Sequence, residues 1–456
     1  MNGRARVVVV GGGFAGLYAA KKLERLLPAG AAEIVMISPT DHLTYSPLLP
    51  DVCASVLEPR HVAVSLRQAL PKSRLIVGHT TSVDLEAKTV TVSITRGDVG
   101  ETQVVSYDKL LLAPGSVSRR FPIPGVAEHA RGVKTITEAV FVRDHLLNQL
   151  DLADALPPGP QHDAERRERM TVVAVGAGYT GTEIVAQTHR WLTRVTDRWS
   201  NIKVSDVRWL LIDVAPAVLP EMGPDLGKYA LGALRDRGID VRLGVSVKSV
   251  DETTITLTDD SVIPSRTLIW GAGIVASPLM GTLGLPLERG RLVVDAQMRA
   301  AEDVWAVGDA AAVPDLAKPK PAEGAQPVTP PTAQHAQRQG TAVGRNIAAS
   351  LGVGQAKDYL HKDLGLVADL GGLTAVAKPL GIELTGLPAK IVARGYHLYA
   401  LPSIPNRVRV LTDWILHAVL PVQSVSLNQT RSEDALIPTA QNTEIYAKAD
   451  AEPRVG

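Results

Sequence analysis

The sequence predicts an α/β fold with two Rossmann-like units, because one pattern of strand, glycine-rich turn, helix and second strand occurs twice in 456 residues. The first copy begins with a β-branched run at residues 7–10 and a glycine-rich turn at residues 11–16. The second copy begins with residues 171–175 and a turn at residues 176–181. The two turns lie 165 residues apart (176 − 11), and the chain is too long for one core, so we expect two domains.

The composition is that of an ordinary globular protein, with 45% hydrophobic residues and a formal net charge of +1. A nearly neutral chain creates no general attraction for a polyanion, so we expect no nucleic-acid partner. Cys53 is the sole cysteine, which excludes an intrachain disulfide and any mechanism that cycles two thiols of the chain. No pattern of residues predicts a metal site.

The N-terminus enters an apolar strand after six mostly polar residues and lacks the apolar core of a signal peptide. No segment approaches the roughly 20 apolar residues that a membrane-spanning helix needs. We therefore expect a cytoplasmic protein, or one held at the cytoplasmic side of a membrane by a peripheral contact.

Both turns have the spacing Gly-x-Gly-x-x-Gly. In such a turn the first glycine allows a tight bend, the second lets the backbone approach a pyrophosphate, and the third lets helix pack on strand. The phosphates then rest on the helix N-terminus, where free N–H groups favour an anion. One match could be only a tight turn, but two matches in the right context predict two dinucleotide sites. The glycines concerned are Gly11, Gly13 and Gly16 in the first unit, and Gly176, Gly178 and Gly181 in the second.

An acidic residue is expected at the end of the second strand of each unit, where it would bind ribose hydroxyls. Asp213 takes that position in the second unit, and its carboxylate favours NADH because it repels the 2′-phosphate of NADPH. Ser38 takes that position in the first unit, where it can bind a hydroxyl more weakly, and Asp41 is the nearest carboxylate. The sequence thus predicts NADH in the second unit.

A third motif, residues 299–309, reads as a strand that ends in Gly308 and Asp309. With residues 110–115 and 268–273, which are similar to two crossover motifs, it resembles the two-dinucleotide-binding flavoprotein disulfide-reductase superfamily.

That resemblance covers roughly residues 5 to 350 and implies that FAD binds in the first unit. It further implies that Gly308 and Asp309 belong to the FAD site, with Asp309 contacting the ribityl chain, and that Gly273 belongs to the NADH site. Taken by itself, Asp309 could also be a solvated turn residue.

Within the superfamily, the chain is most similar to the type II NADH dehydrogenases, single-subunit NADH:quinone oxidoreductases that pump no protons. Residues 41–49 resemble the family's motif after the second strand, in which Pro47 would lie near the isoalloxazine. Gly181-Thr-Glu183 resembles the family's Gly-Val-Glu, which would place Glu183 close to the nicotinamide. A glutamate near a helix start could instead only stabilise the helix dipole. We interpret Cys53 as a small core residue, with a redox role beside the flavin as the alternative.

The segment from Pro330 resembles the family's Ala-Gln-x-Ala-x-Gln, whose glutamines border the quinone at the flavin. Ala333 and Gln334 match it, whereas Arg338 stands where the second glutamine belongs. Thr332 can cap this helix, and its N-terminus would stabilise negative charge on the flavin. Small or apolar side chains at helical spacing would let the helix approach a flat partner; these are Ala333, Ala336, Gly340, Val343 and Ile347.

The segment 407–420 has an apolar stripe at helical spacing, with Trp414 and two arginines. An amphipathic helix with a basic end and an apolar face that carries Trp is typical of a bilayer interface. The alternative is a helix docked on the body or on a second subunit, which leaves a homodimer open. We expect a polar tail from about Asn428, which could be disordered.

These observations predict a discontinuous FAD domain, an inserted NADH domain and a C-terminal α+β region with an amphipathic helix. The first domain spans residues 1–130 and 296–350, the second 131–295, and the membrane or dimer region 351–456. Residues 150–170, rich in proline and charge, are expected to form an exposed connection between the units.

The function implied is that of a peripheral respiratory-chain flavoenzyme, which oxidises NADH through FAD and reduces a membrane quinone. Two alternatives remain at this point. One is a soluble NADH oxidase, peroxidase or diaphorase-like reductase; the other is a redox-gated flavoprotein that binds NADH only to change conformation.

Overall fold

The computed structural model describes residues 4–96, 99–119, 121–321 and 326–445. Two parallel sheets form the centres of two α/β units, as the sequence predicts. Buried on both faces, strands of this kind need nearly continuous apolar runs. Val7, Val8 and Val9 are fully buried, as are Leu110 and Leu111 beside them.

The first sheet has six strands that come from two separate parts of the chain. In spatial order they are Arg299–Ala301, Val304–Ala306, Lys109–Leu112, Ala5–Val10, Ala32–Ser38 and Arg74–Val77. Every neighbouring pair is parallel except the first. Because residues 299–306 return to this sheet, the first unit is discontinuous, as predicted.

The second sheet has five parallel strands and lies between the two parts of the first unit in the chain. In spatial order they are Ala130–Arg131, Thr267–Trp270, Thr171–Val175, Arg208–Asp213 and Asp240–Leu243.

Within the described residues, six smaller sheets of two or three strands accompany the two large sheets. One of them is antiparallel and consists of His79–Asp84, Thr89–Arg96 and Val99–Ser106. The others are Val247–Val250 with Thr254–Leu257 and Val262–Pro264; Leu287–Glu288 with Arg291–Val293 and Ala311–Ala312; Val367–Asp369 with Ala375–Ala377 and Leu384–Thr385; His42–Thr44 with Ala63–Ser65; and Ser116–Ser118 with Ile274–Ala276.

The described residues contain twelve α-helices. In chain order they are α1 (Phe14–Leu26), α2 (Leu49–Cys53), α3 (Leu66–Ala69), α4 (Val126–His129), α5 (Ile136–Asp154), α6 (Asp163–Arg169), α7 (Tyr179–Leu192), α8 (Pro224–Arg235), α9 (Ala333–Ser350), α10 (Gly386–Ala400), α11 (Ile404–Val419) and α12 (Ile437–Glu444).

Helix α9 packs against α1, and two glycines allow the close approach. A Cβ at Gly340 would lie 2.2 Å from the carbonyl oxygen of Ala15, and one at Gly344 would lie 2.7 Å from that of Ala19. The predicted stripe on α9 therefore does approach a partner closely. Over most of the length of α9 that partner is α1, and Val343 and Ile347 of the stripe are fully buried in the core.

Of two expectations about polar segments, one was confirmed in its exposure and the other was wrong. The segment 150–170 is mostly exposed or half-buried, as predicted, and it is largely helical, because α5 runs to Asp154 and α6 covers Asp163–Arg169. The tail from Asn428 folds back onto the body as far as residue 445, where Ala440 and Gln441 of α12 are buried. Residues 446–456 lie outside the described part of the chain.

The amphipathic helix α11 is present, but the predicted place of Trp414 on its apolar outer face was wrong. Trp414 is buried: its Nε1 donates to Asp51 at 2.9 Å, and the Arg394 guanidinium lies over its ring. The apolar side chains around it do face outward, among them Val408, Leu411, Ile415 and Val419. Within the described residues, no helix combines the length and apolarity that crossing a membrane requires.

Candidate active site

A cavity of about 710 Å³ lies at the carboxyl ends of the first sheet's strands. Both units contribute to its walls. The first unit supplies the glycine-rich turn, Ser38 and Asp309, whereas Thr180 comes from the first turn of α7 in the second unit. Open α/β sheets bind ligands at this edge, so the cavity is the candidate active site.

The first glycine-rich turn is shaped as an anion-binding turn. Gly11 has φ +104°, and a Cβ there would lie 2.1 Å from the carbonyl oxygen of Ala113. A Cβ at Gly16 would lie 1.9 Å from the carbonyl oxygen of Gly11. A Cβ at Gly13, the N-cap of α1, would meet no heavy atom within 4 Å, so the backbone there is open to a ligand in the cavity.

The second turn repeats this geometry in the second unit. Gly176 has φ +107°, a Cβ at Gly181 would lie 1.9 Å from its carbonyl oxygen, and Gly178 is again open. Gly271 approaches this turn closely, because a Cβ at Gly176 would lie 3.0 Å from its carbonyl carbon. Gly273 stands two residues further on, where its carbonyl oxygen accepts from the N–H of Arg119 at 3.1 Å.

The two strand-end residues differ in their contacts. The Asp213 carboxylate accepts from the N–H of Ala177 at 2.5 Å and from that of Ala215 at 2.7 Å. It is therefore tied to the second glycine-rich turn, where a ribose would lie next to it. Ser38 is buried at the first turn, and its Oγ would lie 2.6 Å from a Cβ at Gly12.

Asp309 takes part in a chain of hydrogen bonds along one wall of the cavity. Ser116 Oγ donates to Asp309 Oδ2 at 2.5 Å, and Lys134 Nζ donates to Ser116 Oγ at 2.9 Å. Gly308 has φ +69°, and its N–H donates to the side chain of Gln339 at 2.7 Å. Asp309 thus lines the cavity, and the alternative of a solvated turn residue does not fit the structure.

Only the start of α9 borders the cavity, through Ala333 and Ala336. Gln334 binds the loop beside it, donating to the carbonyl oxygen of Gly365 at 3.2 Å. Arg338 donates to the carbonyl oxygen of Lys362 and lies near His361. Neither Gln334 nor Arg338 is among the residues that line the described cavity, so their role toward an acceptor stays a prediction.

Glu183 lies in a buried group of charged side chains between α7 and the C-terminal region. Its Oε1 accepts from the N–H of Asp369 at 2.8 Å, and Lys390 Nζ donates to the carboxylate of Asp369 at 2.5 Å. Burial raises the pKa of Glu183 well above its usual range, and it also raises the pKa of Asp51 nearby. The first turn of α7 contains no acidic residue, so a simple helix-dipole role for Glu183 does not fit the structure.

Two further predicted positions, Pro47 and Cys53, do not line the cavity. Pro47 is half-buried in a short 3-10 turn, whose neighbouring Ser46 does line the cavity. Cys53 ends α2 and is fully buried, and burial raises the pKa of its thiol. A buried, protonated thiol fits the predicted role of a small core residue.

Sequence reasoning missed two polar residues that line the cavity, Ser116 and Lys134. Ser116 directly follows the crossover motif at residues 110–115. Lys134 directly precedes a capping box formed by Thr135 and Glu138, a recognisable helix-start signal. Gln339, the glutamine one step beyond Arg338, accepts from the N–H of Gly308, because one step along a helix turns a side chain by about 100°.

The chemistry of the cavity fits FAD. Its glycine-rich turn offers free N–H groups at the start of α1 for a pyrophosphate, and Ser38 offers a hydroxyl where the first unit's ribose would lie. The lining also includes Asp309, Ser116 and Lys134, which suit the polyhydroxylated chain and the polar ring edge of a flavin. The volume is within the range of cofactor sites.

Comparison with known proteins gives a family and several relatives. The family described as pyridine nucleotide-disulphide oxidoreductase matches residues 5–340. The chain is 32% identical over 430 residues to the type II NADH:quinone oxidoreductase NdhA of Mycobacterium tuberculosis, covering 91% of this chain and 87% of that protein. It is 28% identical over 445 residues to the internal alternative NAD(P)H-ubiquinone oxidoreductase A1, mitochondrial, of Solanum tuberosum, covering 90% and 86%.

Among solved structures, NDH2 from Plasmodium falciparum in complex with NADH is similar, with a TM-score of 0.83. The identity is 19%, and the match covers 93% of this chain and 100% of that one. At this identity the likeness shows that the two chains share a fold.

Proposed function

We propose that this chain, which belongs to the type II NADH:quinone oxidoreductase family, oxidises NADH through FAD and passes two electrons to a quinone. The observation that carries the proposal is the cavity of about 710 Å³ with walls from both units. A flavin in the first unit would meet a nicotinamide from the second unit there.

FAD, when bound, supplies the redox chemistry, because it accepts a hydride and later releases two electrons. The residues of the chain bind and orient the two dinucleotides. The first turn and Asp309 hold FAD, and the second turn and Asp213 hold NADH, with Gly273 at the edge of that site. Thr180, which lies at the cavity wall three residues before Glu183, marks where the two sites meet.

In this proposal Glu183, Pro47, Gln334 and Arg338 are the residues near the reacting groups. Glu183 is suited to hold a proton because its carboxyl has a raised pKa and lies within a buried, charged group. The start of α9 at Ala333 directs the positive end of the helix dipole at the cavity, which stabilises negative charge there.

The same proposal places the enzyme at the cytoplasmic side of a membrane, bound peripherally through α10 and α11. Its support is an apolar surface on these helices without a covering element among the described residues. The exposed side chains are Leu387, Ile391, Tyr399, Ile404, Val408, Leu411, Ile415, Leu416 and Val419. A lipid-soluble quinone would enter from such a contact. A second copy of the chain is the other possible occupant.

The test of the reaction uses purified protein and three acceptors. The parent protein is expected to show a flavin absorbance spectrum and to reduce menadione with NADH much faster than it reduces oxygen or peroxide. Faster turnover with oxygen or peroxide would favour the soluble oxidase or peroxidase and would overturn the quinone assignment. A long-lived charge-transfer band with slow turnover would favour a redox-gated binding protein.

The test of the membrane contact is flotation with liposomes. Ile415→Glu on the exposed face of α11 should lower the bound fraction by about tenfold or more, since burying an isoleucine contributes about 1.5–3 kcal/mol. Val262→Glu is the matched control, because Val262 is similarly exposed but lies on the second unit. If both variants float like the parent while Ile415→Glu shifts a dimer to a monomer, the surface binds a second copy.

A further inference from the structure

Lys134 is the one lysine among the described residues that lines the candidate flavin cavity. Its Nζ donates to Ser116 Oγ at 2.9 Å, and that hydroxyl donates to Asp309 at 2.5 Å. Among the described residues, no carboxylate oxygen lies within 4 Å of this ammonium, the distance that defines an ion pair. A lysine held inside a cavity without an ion-pair partner is costly, so a ligand with negative charge would stabilise it.

The backbone that carries Lys134 is held by a buried carboxylate. Glu138 accepts from the N–H groups of Lys134 and Thr135, both at 2.8 Å, and completes the capping box at the start of α5. Glu138 is fully buried. Its other oxygen accepts from Gln441 Nε2 at 3.1 Å.

Gln441 belongs to α12, which returns from the far end of the chain. Its amide also donates to Ser118 Oγ at 2.7 Å and accepts from the N–H of Ser118 at 2.7 Å. Gln441 is buried, and Ile445 after it lines the same cavity as Lys134. The C-terminal segment thus reaches the cavity. Gln441 binds Ser118, two residues after Ser116, and Glu138, four residues after Lys134.

We propose that Lys134 is a flavin-contacting residue whose ammonium faces the riboflavin half of FAD beside Asp309, and that α12 holds it there through Gln441 and Glu138. This inference rests on the proposed binding of FAD in the first unit. In it Lys134 touches the cofactor, whereas Gln441 and Glu138 are positioning residues. A fixed positive charge at this wall favours the negative charge that a flavin gains on reduction, and therefore raises its midpoint potential.

The experiment measures the midpoint potential of the bound flavin against a reference dye, and the FAD dissociation constant by reconstitution of the apoprotein. Lys134→Gln keeps a donor for Ser116 and removes the charge. It should lower the reduced-to-oxidised ratio at a given dye potential by about tenfold, which is about 30 mV for a two-electron couple. It should also weaken FAD binding. Lys134→Arg should restore most of the potential.

Lys248→Met is the matched control, because it removes one exposed lysine of the second unit. A potential and an FAD affinity in Lys134→Gln equal to those of this control would overturn the contact. A parent protein that binds no FAD would instead overturn the proposed function.

The second part compares two side chains of α12. Gln441→Ala removes the buried amide and should shift the flavin potential in the same direction as Lys134→Gln, but by less. Thr443→Ala is its control, since Thr443 lies on the same helix and is exposed. If the two α12 variants have the same potential, the helix does not position Lys134.

Discussion

The two glycine-rich turns share one backbone geometry but lie in different surroundings. Gly11 and Gly176 have nearly equal φ values, +104° and +107°, and both third glycines would place a Cβ 1.9 Å from the first glycine's carbonyl oxygen. Around the first turn, α9 packs on α1 and the Asp309 strand adds a wall, so the turn faces a cavity. The three glycines of the second turn are not among the residues that line this cavity.

This difference matches the two ligands proposed for them. A cavity walled by several elements suits a cofactor that stays bound, whereas a substrate that must leave after every turnover suits a turn outside that cavity. The helices that follow the turns carry different residues at equivalent positions, two residues after the third glycine. Tyr18 donates to the carbonyl oxygen of Ala400, whereas Glu183 accepts from the N–H of Asp369. Both side chains nevertheless bind the C-terminal region.

The largest expected effect is on stability, from a substitution that probes how closely the first turn packs against Ala113. Gly11→Ala should lower the free energy of unfolding by about 3–5 kcal/mol, because it combines an unfavourable φ with overlap against Ala113. Gly176→Ala should cost about 1–3 kcal/mol, since φ strain dominates where the nearest atom is 3.0 Å away. Gly30→Ala, at φ +81° and with no atom within 4 Å, measures φ strain alone. Equal losses at Gly11 and Gly176, in urea unfolding, would contradict the comparison.

A smaller effect tests the ligand of the second turn. Asp213→Ala should raise the KM for NADH by about 10- to 100-fold, because it removes a charged acceptor from the ribose, and it should relax the preference over NADPH. Ser38→Ala, at the equivalent position of the first unit, is expected to leave that preference unchanged. The check is steady-state kinetics with both nucleotides. An unchanged preference in Asp213→Ala would show that this carboxylate only supports the turn through Ala177.

The smallest expected effect concerns Glu183 and pH. Because burial raises its pKa in the folded protein, the folded state holds the proton more tightly than the unfolded state does. The parent should therefore lose stability as pH rises from the usual pKa near 4.5 towards the folded value. Glu183→Gln cannot titrate and should lack this part of the decline, as measured by urea unfolding between pH 5 and 8. Tyr18→Phe is the control and should keep the parental slope; a Glu183→Gln slope equal to the parent's would contradict the shift.

Local sequence was sufficient for features whose residues lie close together in the chain. The two turns, the strand end at Asp213 and the cap of α9 by Thr332 each depend on contacts within a few residues or across one strand–helix–strand unit. Short-range sterics decide them: a positive φ needs glycine, and a hydroxyl at an N-cap needs only the next turn of helix.

The tertiary structure decided what each of these features contacts. Trp414 has the pattern of an interfacial residue, yet it binds Asp51, which is 363 residues earlier in the chain. Gln441 lies in a polar tail that composition alone marks as disordered, yet it is buried against Glu138 and Ser118. Such contacts depend on which surfaces meet after both sheets have formed. The sequence thus determined the two dinucleotide-binding frames, and long-range packing decided which polar residues line the cavity between them.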